Sequence, residues 1–186
     1  MKTIKLFTLL ALGSFGLSAN AALVSLVPES AFINEGASFG LDLAIDAADV
    51  NGDSPGSFSG IVTIAYDPGQ VTFDGFDYLG SAMAQTGEPV VSIDGALERI
   101  SIDFMGATDV STIGTYSFTA LAPEGAEIEF SFVPTFTAGF ANTLPTNAPF
   151  VPDLEGATVS VVPLPAAAWL MLSAFGFMFG FVKRRA

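Results

Sequence analysis

The chain has 186 residues, enough for one modest domain with targeting segments, and 51% of them are hydrophobic. It carries 19 acidic and 6 basic residues, a net charge of −13, with no cysteine and no histidine. Disulfide bridges, lipid attachment through an N-terminal cysteine, and Cys- or His-based nucleophiles and metal sites are therefore excluded.

Residues 1–21 read as a signal peptide. Lys2 and Lys5 precede an apolar core over 6–17, and Ala19-Asn20-Ala21 has the small-x-small pattern of a processing site, which puts cleavage between Ala21 and Ala22. The apolar core is too short to be a second membrane helix. All 19 acids lie between Glu29 and Glu155, where Arg99 is the only base, so the exported part carries −18. Such a surface repels phosphate and excludes nucleic acid as a partner. It attracts cations instead.

From residue 22 to 161 the sequence shows one strand pattern after another. Phe39, Leu41, Leu43 and Ile45 alternate with Gly40, Asp42, Ala44 and Asp46. Phe58, Val62, Ile64 and Tyr66 repeat the pattern across Gly60, Ile100, Ile102 and Phe104 alternate with Arg99, Ser101 and Asp103, and Ile128, Phe130 and Phe132 with Glu127, Glu129 and Ser131. A period of two with one apolar set is a strand with one buried face. Shorter runs at 23–27, 71–76, 90–93, 115–120 and 157–161 bring the count to about nine strands. Turn signals at Asn34-Glu35-Gly36, Asn51-Gly52-Asp53, Asp67-Pro68-Gly69, Asp94-Gly95 and Pro123-Glu124-Gly125 separate them. The expected fold is all-β, an antiparallel sandwich whose many phenylalanines fill the space between two sheets. Residues 137–153, with Pro145, Pro149 and Pro152, read as a surface excursion before the last strand.

One ligand constellation stands out. Asp49, Asn51 and Asp53 place oxygen ligands at alternate positions, as a Ca²⁺ loop begins. Ser54 and Gly60 occupy the positions where an EF-hand needs its glycine and its bidentate glutamate, so a complete EF-hand is excluded. The competing reading is an Asx-rich hairpin turn. Catalysis is not expected, because the exported part has neither His nor Lys to activate a nucleophile, and its carboxylates read as solvated acids on strands and turns. Glycan binding lacks exposed platforms: the only tryptophan is Trp169, beyond the domain, and Tyr66 and Tyr116 fall in core register, leaving Tyr78.

Residues 162–186 form a tail. Ala166 begins a run of 17 uncharged residues ending at Val182, followed by Lys183, Arg184 and Arg185. As a helix this run spans roughly 25 Å, near the lower limit for a bilayer core, and the basic end fixes it in the cytoplasm with the domain outside. Val162, Pro163, Leu164, Pro165 and Ala166 precede it. A short Pro-containing motif, an apolar helix and a basic end resemble the PEP-CTERM class of bacterial sorting signals in its VPLPA variant, although the motif reads Pro-Leu-Pro and not Pro-Glu-Pro. That resemblance implies an exosortase-type transpeptidase as a partner, a membrane-held intermediate, and delivery to the cell surface or the extracellular matrix.

The opening over residues 24–46, the run over 58–73 with its Tyr66-Asp67-Pro68 corner, and the closing strand over 114–120 resemble a cohesin-type module. This implies a nine-stranded, cohesin-like jelly roll spanning 22–161. The expected function is an exported, non-enzymatic structural or adhesive protein of the envelope or exopolysaccharide matrix, in contact with polysaccharide or a protein partner. The alternatives are a cohesin-like module receiving a dockerin-type Ca²⁺-binding partner, and a carbohydrate-binding module.

Overall fold

A computed structural model describes residues 22–47, 56–108, 110–144 and 149–163. Among them there is no helix, and the strands are β1 (Leu23–Pro28), β2 (Phe32–Ile33), β3 (Ser38–Asp46), β4 (Ser57–Tyr66), β5 (Val71–Tyr78), β6 (Met83–Ala84), β7 (Val90–Asp94), β8 (Leu97–Thr108), β9 (Val110–Ala120), β10 (Glu127–Phe132), β11 (Ala138–Leu144), β12 (Asp153–Glu155) and β13 (Ala157–Val161).

They make two sheets. The smaller runs β12-β1-β3-β9-β5. The larger runs β2-β13-β10-β4-β8-β6, and its long central pair is edged by short strands in succession: β10 and β11 share one side of β4, while β6 and β7 share the far side of β8. Pairing is antiparallel except where β1 meets β12 and β13 meets β2.

All nine expected runs are strands. Three of the additional ones, β2, β6 and β12, are too short to display an alternation. The fourth, β11, corrects the reading of 137–153 as a surface excursion: its backbone pairs with β4, and Phe140 and Asn142 are buried. Its period-two signal is broken by Gly139, held at φ +71°, and by two register shifts against β4. β3 and β4, which flank Asp49, Asn51 and Asp53, belong to different sheets and do not pair, so they form no hairpin.

Two aromatic clusters fill the core, and the first joins the sheets. Phe118 of β9 lies 4.8 Å from Phe130, 5.3 Å from Tyr66, 5.7 Å from Phe73 and 5.8 Å from Phe39, measured between ring centroids. Fully burying such a ring contributes about 1.5–3 kcal/mol. The second cluster fixes β11: Phe140 packs on Phe104 and Phe150, and Phe150 on Phe58. Gly60 makes room for it, since a Cβ there would lie 2.9 Å from the Phe140 ring.

Candidate binding face

Strand pleating turns Ser59, Ile61, Thr63 and Ala65 of β4 away from the core, in line with Met105, Asp103, Ser101 and Arg99 of β8. β6 and β7 extend the rows, placing Met83 beside Met105, Val90 beside Ser101 and Ser92 beside Arg99. The result is a broad outer face on the larger sheet. Ile61, Met83 and Val90 are exposed on it, at 44%, 55% and 64%. Phe136, from the turn between β10 and β11, joins them.

Arg99 is the only basic residue among the described ones. Its guanidinium ion-pairs with Asp94 and lies 5.0 Å from the centre of the Phe136 ring, a cation–π contact. Beside it a hydroxyl chain fixes the turn to the sheet: Ser101 Oγ is 2.8 Å from Thr63 Oγ1, which donates to the Phe136 carbonyl at 3.1 Å. Further along β8, Asp103 accepts from the Thr86 hydroxyl and from the Gln85 N–H at 3.2 Å. Partial burial of Asp103 opposes its ionisation, but these donors outweigh it and hold the carboxyl below its ordinary range.

Next to this face, where β4 ends and β10 runs past it, is a cleft of about 390 Å³ lined by Ala65, Asp67, Gln70, Leu97, Glu127 and Glu129 among others. Tyr66 borders it and donates to Glu98 at 2.7 Å; burial, then this bond and the Glu98 charge, push its phenol far up. The smaller sheet presents a different outer face, in which Thr115 donates to Asp42 at 2.5 Å and Thr119 to Asp74 at 2.8 Å. It is mostly polar, with Val27 and Val110 as its exposed large apolar residues.

Asp49, Asn51 and Asp53 lie outside the described residues, as do Ala21, Leu164, Pro165, Ala166, Lys183, Arg184 and Arg185. Among the described residues no group of three or more acids is placed to hold a metal ion, and no helix is long and apolar enough to cross a membrane. Ala22 is buried, and its carbonyl accepts from the Asp153 N–H at 2.7 Å. Val162 donates to the Ile33 carbonyl at 2.7 Å, and Pro163 is exposed immediately after it. The outer-face residues Ile61, Met83, Val90 and Phe136 were not singled out by the sequence. The available signal was an apolar residue at an outward position, as Ile61 is between Gly60 and Val62.

No protein-family model matches the chain, and no curated protein matches its sequence. Solved structures do. The sixth cohesin of scaffoldin B from Acetivibrio cellulolyticus, in complex with a Cel5 dockerin, aligns with 76% of this chain and 99% of its own at 15% identity and a TM-score of 0.56. A cohesin–dockerin complex of OlpA from Clostridium thermocellum aligns over 75% and 99% at 10% identity and a TM-score of 0.57. The cohesin module of a family 33 glycoside hydrolase from Clostridium perfringens aligns over 76% and 97% at 11% identity and a TM-score of 0.56. The fold is a cohesin-like β-sandwich.

Proposed function

We propose that this chain is a non-enzymatic receptor module that binds a dockerin-type, Ca²⁺-loaded protein through the outer face of β4 and β8. The observation that carries this reading is the alignment over nearly the whole length of cohesin modules, two of them in complexes with dockerins. The face itself agrees with it. Ile61, Met83, Val90 and Phe136 offer apolar contact around a polar centre of Ser101, Asp103 and Arg99, the composition of a protein-binding patch. An acidic module attracts a partner bearing cations, and a Ca²⁺-loaded domain meets that requirement. The Ca²⁺ then belongs to the partner; the Asp49, Asn51 and Asp53 loop is at most a weak site of its own.

The tail supports a second element of this reading, delivery to the envelope. Val162, Pro163, Leu164, Pro165 and Ala166 serve as a motif for an exosortase-type enzyme, which leaves the module at the cell surface or in the exopolysaccharide matrix. A structural or adhesive role there is the competing use of the same module.

Affinity capture from the same cell envelope separates the two. Full-length protein should retain a defined Ca²⁺-binding protein, identified by mass spectrometry, that is lost with a chelator and lost with Ile61→Asp. Retention of polysaccharide alone, unaffected by either change, assigns the adhesive role instead.

A further inference from the structure

The larger sheet ends on β7, and this edge differs from the others. All five residues, Val90 to Asp94, are exposed, and among the described residues the strand pairs only with β8. Sheet edges are normally guarded by shortness, bulges, Pro or charges. β2, β6 and β12 have two or three residues, β5 has a bulge between Phe73 and Gly75 with Asp74 and Asp77 beside it, and β11 has Gly139 and two register shifts. β7 has none of these devices. Its one acid, Asp94, is neutralised by Arg99, the only base of the described residues.

We propose that β7 is a self-association edge, where a second copy of this chain adds its own β7 antiparallel with Ser92 opposite Ser92. β7 and β8 form an unbroken ladder closed by the two residues Gly95 and Ala96, with Gly95 at φ +64°. In such a hairpin Asp94, Ser92 and Val90 direct their backbone groups to β8, so Val91 and Ile93 direct theirs to the open edge. Antiparallel addition centred on Ser92 sets Val91 against Ile93 of the second copy, and Ile93 against its Val91. Both pairs exchange N–H and C=O, giving four hydrogen bonds.

The side chains obey the same symmetry. Val91 and Ile93 lie on the inner side of the strand, in register with Ile100 and Glu98, yet remain 44% and 79% exposed. Pairing brings two valines and two isoleucines together beneath the joined sheet. Charge adds to this: the β5 and β12 edges carry Asp74 and Asp77 and Asp153 and Glu155, whereas the single acid of each β7 is already paired. The two-fold axis stands perpendicular to the sheet, so both outer faces point the same way and become one surface.

The absence of cysteine gives a direct test, because Ser92→Cys introduces the only thiol. In the proposed register this is a non-hydrogen-bonded pair with Cα atoms about 4.5 Å apart, within disulfide range. Full-length protein in mild detergent should form a covalent dimer on gentle oxidation when it carries Ser92→Cys. Glu124→Cys, on the exposed turn before β10, should stay largely monomeric, and Ser92→Cys with Ile93→Asp should lose the dimer. Circular dichroism confirms that the Ile93→Asp protein is folded, as its exposure leads one to expect. Equal cross-linking at positions 92 and 124, no cross-linking at 92, or a dimer insensitive to Ile93→Asp overturns the proposal.

Discussion

The Thr137 hydroxyl takes the place of a strand at Thr63. It accepts the Thr63 N–H at 3.1 Å and donates to the Thr63 carbonyl at 3.2 Å, while the Val133 N–H reaches the same carbonyl at 2.8 Å. β10 ends its pairing with β4 at Ile64, and β11 resumes it at Ile61. One side chain therefore bridges the junction between two strands that share an edge, and both threonines are buried. Thr137→Val keeps the shape and removes both bonds, leaving the Thr63 N–H unpaired and its carbonyl with one partner. The expected loss is about 2–4 kcal/mol by urea denaturation, with Thr137→Ser close to wild type.

This junction also marks how far the sequence could be read. The alternation around Ile100, Ile102 and Phe104 identifies β8 because each apolar residue enters one core from one face. β4 is harder, since Thr63 and Ala65 are buried on its outward side as well, beneath the turn that carries Phe136. β11 is harder still, because Gly139 interrupts its alternation and its register slips twice. The candidate face depends on which strands become neighbours, and Ile61, Met83 and Val90 come from three separate strands. Tyr66 and Tyr116 were placeable in the core from their period alone.

The buried tyrosines should respond differently to loss of their hydroxyls. Tyr66 donates to a carboxylate, so Tyr66→Phe should cost about 1–3 kcal/mol. Tyr116 is buried among Phe73, Phe76 and Phe118, and its hydroxyl has no hydrogen-bond partner among the described residues. Tyr116→Phe should be neutral or stabilising by up to about 1 kcal/mol, measured in the same denaturant.

The third tyrosine gives an alkaline signature. Tyr78 donates to the Asp103 carbonyl at 2.7 Å, and burial first, then the charges of Asp103 and Glu88, push its phenol up to about 12. A folded pKa above the unfolded value of about 10 means stability fully present below pH ~10 and lost as pH rises toward 12. Absorbance of tyrosinate should therefore appear late and together with the loss of near-ultraviolet dichroism. Early titration of Tyr78 in folded protein would contradict this.

Asp103 gives the acid counterpart. Its folded pKa lies below the ordinary carboxylate value of about 3.9, so its contribution is present above that pH and disappears as pH falls through the folded value. Thr86→Val removes the hydroxyl donor and should raise the Asp103 pKa. The variant should be less stable than wild type near neutral pH, and the difference should shrink as both are taken toward pH ~2. A difference that stays constant across that range would mean that Thr86 acts by packing and not through the carboxylate.

Val162 is half-buried and still bonded to Ile33, whereas Pro163 is exposed, so the sandwich ends one residue into the motif. Proline has no N–H to donate and disfavours helix in the residue before it, so Pro163 and Pro165 favour an open chain, which suits an enzyme that reads the motif at the membrane surface. The sorting reading needs Lys183, Arg184 and Arg185 to stay in the cytoplasm; 17 uncharged residues from Ala166, taken as a helix, would then set the motif at the outer interface, roughly 25 Å away. Mass spectrometry of protein recovered from cells should find the residues beyond the motif missing. Changing both Pro163 and Pro165 to Ala should leave export intact and trap full-length chain in the membrane. A wild-type chain still ending at Ala186 would make the tail a plain anchor, because the basic end and the apolar run suffice to hold a protein in a bilayer without any enzyme to read the prolines.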